Sequence, residues 1–132
     1  MIVVDASVLA NALADDHGDG HAARTRLRRA GDLTAPDLVD VETMSVLRKR
    51  WRGGDLGTRR WAEAVGDLEA IELTRFPTLA LARRAFELRS NVTPYDASYV
   101  ALAERLGCPL VTADRRLARA PGIRCEVEGL AA

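Results

Sequence analysis

Four acidic side chains, Asp5, Glu42, Asp96 and Asp114, are set apart from the other acids by where they fall. Asp5 directly follows the apolar run Ile2-Val3-Val4, and Asp114 follows Leu110-Val111-Thr112 by two residues. Ligands of open α/β sheets bind at the carboxyl ends of the strands, where both acids fall. Glu42 has Leu38, Val39 and Val46 among its i±3 and i±4 neighbours, so a helix places it beside the buried stripe. Asp96 is followed at i+3, i+4 and i+7 by Tyr99, Val100 and Ala103, which gives it an inward face as well. Each acid also has an ordinary reading. Asp5, Asp96 and Asp114 fit helix N-terminal caps, and Glu42 fits one half of an ion pair.

If the four converge, repulsion decides their chemistry. Two carboxylates about 4 Å apart repel by roughly 4 kcal/mol at an effective dielectric of about 20. Unpaired, such a cluster protonates or splays; a divalent cation removes the penalty. An all-oxygen ligand set favours magnesium, with manganese able to substitute, over zinc. A cation so held acidifies a bound water and neutralises charge on a leaving oxygen, which is the chemistry of phosphodiester hydrolysis.

The elements needed to position these acids are readable in outline. Helices are expected over 7–14 and 20–30, then from an Asp37 cap to Trp51, over 56–67, 78–89 and 94–106, with a short one over 115–120. Strands are expected at 2–4, 33–35, 71–74, 110–112 and 124–127, the second stopped by Pro36. Strands alternating with helices imply right-handed crossovers, hence an α/β, three-layer fold with a central parallel sheet flanked by helices. One domain is expected over residues 1–132, a length that buries roughly two thirds of its unfolded surface.

Composition excludes several classes. Hydrophobic residues make up 48% of the chain, and 19 basic side chains balance 19 acidic ones, so disorder and bulk attraction to polyanions are both unsupported. No apolar run approaches the ~18 residues of a membrane span, and no secretory signal is read at the amino terminus. Cys108 and Cys125 fit reduced, buried thiols, which points to the cytoplasm. A receiver domain needs an acidic pair after its first strand and a late lysine, whereas Lys49 is the last lysine here. A haloacid-dehalogenase-type phosphatase needs an aspartate where Ser7 stands. No glycine-rich nucleotide loop is present.

The segments Met1-Ile2-Val3-Val4-Asp5-Ala6-Ser7-Val8-Leu9, Pro36 with Glu42, Thr93-Pro94-Tyr95-Asp96-Ala97-Ser98-Tyr99-Val100-Ala101-Leu102-Ala103 and Leu110-Val111-Thr112-Ala113-Asp114-Arg115-Arg116-Leu117 resemble, in order and spacing, the PIN-domain nucleases. The resemblance is specifically to VapC-type toxins of toxin–antitoxin pairs, and it covers essentially the whole chain. It implies a PIN-like nuclease fold and a magnesium-dependent endoribonuclease with Asp5, Glu42, Asp96 and Asp114 as its acidic site. It further implies a homodimer and a cognate antitoxin whose tail blocks the active groove. Within that set Asp5 and Asp96 are the leading metal ligands, Asp114 completes the shell or holds a metal-bound water, and Glu42 is a further ligand or orients the attacking water. Ser7 and Thr112 are candidate hydroxyls behind the ligands.

Arg115, Arg116 and Arg119, flanking Asp114, are candidate RNA phosphate contacts, as are Arg48, Lys49, Arg50 and Arg52 at a helix end. His17 and His21 have zinc-compatible spacing, but Gly18 and Gly20 argue against a helix there and a third ligand is lacking. Trp51, Trp61, Phe76 and Phe86 are scattered and offer no base-stacking platform. A competing reading keeps the fold without catalysis, as a module that binds a partner protein or RNA.

Overall fold

The computed structural model describes residues 1–130. Five strands form one parallel sheet in the order β3-β2-β1-β4-β5: β1 (Ile2–Val4), β2 (Leu33–Pro36), β3 (Thr74–Phe76), β4 (Leu110–Thr112) and β5 (Val127–Gly129). Between them run α1 (Ala6–Ala14), α2 (Gly18–Arg29), α3 (Val39–Arg52), α4 (Thr58–Ala70), α5 (Ala82–Glu87) and α6 (Pro94–Leu106). Short 3₁₀ turns cover Thr78–Leu81 and Arg115–Arg119. Helices α1 to α4 pack on one another, while α5 and α6 pack together with α6 against β1, β2 and β4. The sheet is thus a middle layer between two sets of helices.

The strand order explains where a ligand belongs. From β1 the chain winds outward to β2 and β3, then returns across the sheet to β4 and β5. The reversal falls between β1 and β4, paired in register Val3 to Leu110 and Val4 to Val111. Loops leaving those two strands part in opposite directions, and the crevice between them is the natural ligand site of such a sheet. Asp5 ends one strand and Asp114 closely follows the other.

The central strands form because they are buried on both faces. Val3, Val4, Leu110 and Val111 have no exposed surface, and Leu9, Val100 and Leu102 seal them from the helices. Fully burying one such side chain stabilises by about 1.5–3 kcal/mol. Helix α6 has clear ends: Thr93 Oγ1 accepts from Asp96 N, Pro94 opens the first turn, and Gly107 takes the left-handed conformation at φ 64° that closes the last.

Several expected boundaries move. The β2 strand includes Pro36, because β1 pairing ends at Thr34 and no partner on that side needs its missing N–H. Helix α4 continues to Ala70, so Ile71 caps it and β3 starts only at Thr74. Asp37 does not cap α3: its carboxylate instead accepts from the backbone and hydroxyl of Thr78. The segment over 78–89 splits into a 3₁₀ turn and the short α5, and β5 begins at Val127. Helix α2 does pass through Gly20, which is required because a Cβ there would meet the Asp15 carbonyl oxygen at 1.8 Å. His17 and His21 are both exposed at its start. Cys108 and Cys125 are free thiols, half-buried rather than buried, and burial pushes Cys125 up to about 11. Among the described residues no helix is long and apolar enough to cross a membrane.

Candidate active site

Asp5 is both a cap and the floor of the crevice. Its Oδ1 accepts from Val8 N at 3.1 Å, closing the first turn of α1, and from Ser7 Oγ at 2.6 Å. Its Oδ2 accepts from Thr112 Oγ1 at 2.5 Å. The two hydroxyls are themselves anchored across the β1–β4 junction: Ser7 Oγ accepts from Ala113 N and Thr112 Oγ1 from Asp114 N. Each hydroxyl therefore spends its proton on Asp5 and its lone pair on the loop after β4. The carboxylate is held by these bonds at 6% exposure, and it forms no ion pair among the described residues. Burial pushes its pKa up, and the hydrogen bonds oppose that rise.

The other acids meet it electrostatically. Burial raises the Glu42 carboxyl, and the charges of Asp5 and Asp96 raise it further. Burial also raises Asp96, with Asp5 and Asp114 adding to it. These mutual shifts mean that side chains from four separate segments share one field. Asp114 differs. It caps the 3₁₀ turn at Arg115–Arg119, and Arg116 grips it through both carboxylate oxygens, which lowers its pKa. Among the described residues Asp114 is the one acid of the four in a salt bridge.

Two openings flank the acids. A groove of about 560 Å³ holds Asp96, Asp114 and Arg116, bordered by Thr93 and Arg89. A smaller pocket of about 340 Å³ holds Glu42 between Leu38, Val41, Ser45 and Tyr95. Of the arginines after Asp114, only Arg116 borders the groove, and it is already committed to Asp114. The Arg115 stem lies against Gly129 on β5, and Arg119 is exposed elsewhere.

Tyr99 is the functional residue that helical periodicity concealed. It is 1% exposed, and its hydroxyl donates to Glu42 Oε1 at 2.9 Å. Its place three residues after Asp96 reads as core packing, but a buried tyrosine hydroxyl needs a partner, and that need was the available signal.

Among the described residues no three His, Cys, Asp or Glu side chains close round one point as a self-sufficient metal cage. That excludes the tight four-ligand sites typical of structural zinc, at His17 and His21 as elsewhere. Magnesium does not require such a cage, because it keeps several waters and takes one or two carboxylates. The donors here are all oxygen, and among the described residues three of the four acids form no ion pair, although the Arg116 charge reaches Asp96. These residues fit a hydrated divalent ion.

The sequence profile of the PIN domain matches residues 2–123. The chain belongs to the PIN domain family. This PIN domain is 42% identical to Ribonuclease VapC9 of Mycobacterium tuberculosis over 127 residues, covering 96% of each chain. It also overlays on PAE2754 from Pyrobaculum aerophilum with a TM-score of 0.67 and 27% identity, over 96% of this chain and 82% of that one. VapC20 of M. tuberculosis, a toxin that cleaves the sarcin–ricin loop, overlays with a TM-score of 0.72 over 94% of this chain and 97% of that one. At 17% identity that last likeness concerns the fold, and it carries the parallel sheet and its helices across nearly the full PIN domain.

Proposed function

We propose that this PIN domain, taken as one unit over 1–132, is a metal-dependent endoribonuclease and the toxin of a type II toxin–antitoxin pair. The reading is supported chiefly by the charge balance of the crevice: Asp5, Glu42 and Asp96 feel one another's charge, have raised pKa, and form no ion pair among the described residues. Relatives named VapC ribonucleases, at 42% identity, support the choice of RNA as substrate.

Asp5 and Asp96 would hold a Mg²⁺ ion, or Mn²⁺ in its place, with Asp114 at the rim as a third, outer oxygen donor. Bound there, the ion would supply acidified water and offset charge on the phosphate. Asp5 is immobilised by Ser7 and Thr112, so it cannot turn away when the ion binds. Glu42, fixed through one oxygen by Tyr99, offers the other to the attacking water and takes its proton. A raised carboxyl is the better base for that transfer. Arg116, which pairs with Asp114 in the free protein, would meet substrate phosphate, with Arg115 and Arg119 as outer contacts. The chain acts in the cytoplasm as a homodimer, silenced by its cognate antitoxin in the groove.

The test is cleavage of purified RNA. Wild type cuts with Mg²⁺ and stops with chelator, and Asp96→Asn does not cut. Cleavage that survives chelation, or that survives Asp96→Asn, contradicts the proposal. RNA or partner binding without cleavage at any metal concentration establishes the non-catalytic alternative.

A further inference from the structure

From its N-cap Leu38 to Arg52, one face of α3 carries an ordered stripe. Leu38, Val41, Glu42 and Ser45, spaced i, i+3, i+4 and i+7, line the smaller pocket, which Tyr95 closes from α6. Ser45 is shared with a second depression along the same helix, bordered by Val46, Arg48, Lys49 and Arg52. The stripe thus passes from apolar, to the site acid, to hydroxyl, to cation within one continuous track. Tyr95 directly precedes Asp96 and is 60% exposed. Its hydroxyl has no hydrogen-bond partner among the described residues, unlike the committed Tyr99 hydroxyl.

Arg48, Lys49 and Arg52 are all exposed, and none enters an ion pair among the described residues. Arg50 is different, because its guanidinium turns away to Asn11 Oδ1 at 2.6 Å. At 1.5 Å rise per residue, the cations lie about 9 to 15 Å along the helix from Glu42. Free cations beside a carboxylate cluster have no stabilising task toward it. They suit a polyanion that must cross repelling acids and be held beyond them.

We infer that the Leu38–Val41–Tyr95 pocket is a nucleobase subsite for single-stranded RNA, with Arg48, Lys49 and Arg52 holding the phosphates that follow. The pocket's volume, about 340 Å³, admits a base, and Tyr95 supplies the aromatic face on which it stacks. Charge complementarity favours RNA over a protein as occupant, since the pocket, apolar at Leu38, Val41 and Tyr95, opens past Ser45 onto cations. The inference rests on the nuclease reading for its substrate class and gives that substrate a direction across the site.

The experiment measures fluorescence anisotropy with two labelled probes of equal length: a short oligouridylate and an abasic ribose-phosphate oligomer. Ca²⁺ replaces Mg²⁺, and probe integrity is checked by gel. Wild type binds the base-bearing probe about tenfold more tightly, within the range that one base on an aromatic ring contributes. Tyr95→Ala erases that preference and leaves abasic binding unchanged, while Tyr95→Phe keeps it. Joint Lys49→Ala and Arg52→Ala weakens both probes alike and lowers the salt slope by about 1.4. A preference that persists in Tyr95→Ala overturns the subsite. So does a Tyr95→Ala variant that keeps RNA binding but loses a protein partner. Cleavage in Mg²⁺ is scored in parallel. Cutting by wild type with an unchanged preference in Tyr95→Ala overturns the subsite alone. A preference lost in Tyr95→Ala without cutting by wild type supports the subsite while removing the nuclease reading.

Discussion

Asp5 and Asp114 leave adjacent strands at the same sheet edge, yet they are built in opposite ways. Asp5 is buried, pinned by two hydroxyls and a backbone amide, and has no ion-pair partner among the described residues. Asp114 sits at the rim, and an exposed arginine grips it through both oxygens. One side of the cleft stores unneutralised charge at fixed coordinates; the other is neutralised by a partner that can let go. Rigid, unopposed carboxylate is what a cation selects, whereas a rim acid with its own arginine contributes adjustably.

The contrast ranks substitutions. Asp5→Asn and Asp96→Asn should each lower RNA cleavage by more than about a thousandfold, beyond the 10- to 100-fold typical of groups that only support a ligand. Comparable losses on substituting Asp114 would erase the distinction between floor and rim. Thr112→Val removes a fully buried hydroxyl that donates to Asp5 and accepts from Asp114 N, at nearly constant volume. Metal affinity or turnover should fall about 10- to 100-fold, with Thr112→Ser recovering most of it. Tyr99→Phe frees Glu42 Oε1 and should lower kcat about tenfold with KM little changed. In Glu42→Gln the same change should add almost nothing, because Tyr99 acts through that carboxylate.

Stability against pH separates the two sides without any substrate. Asp5, Glu42 and Asp96 have folded pKa values above the ordinary 3.8 and 4.5, so the native chain binds protons that the unfolded chain releases. Metal-free stability from these groups is therefore greatest in acid and falls as pH rises from about 4 through the raised values. Asp114 has the opposite sign: its lowered pKa gives stability above 3.8 that is lost as pH falls. Denaturant melts across that range should show the acid-favoured trend, and Mg²⁺ should flatten it. A trend unaffected by Asp5→Asn or by Mg²⁺ would mean the floor is not under charge strain. Arg116→Ala is the mildest change, altering cleavage no more than a few-fold while raising the Asp114 pKa.

Central elements were legible in the sequence because burial on both faces leaves no ambiguity of period. The bounds of β1, α6 and β4 agree with the apolar runs and with the Thr93 and Gly107 caps. The same runs located three of the four acids, since a strand end or a helix cap fixes position locally. Edge elements were less readable. Thr74 on β3 is exposed, and β5 is only partly buried, so neither carries a strong pattern. Long-range partners escaped for a different reason. Asp37 with Thr78, Arg50 with Asn11 and Tyr99 with Glu42 depend on segments meeting in space, which local spacing does not encode.

Calorimetric titration of Mg²⁺ into the metal-free protein, beside Asp5→Asn, Asp96→Asn and Arg116→Ala, asks most directly whether the crevice is held together by a cation. The account predicts saturable binding by wild type and Arg116→Ala, and its loss in both aspartate variants. Equal heats from all four proteins, or none from wild type, would contradict it.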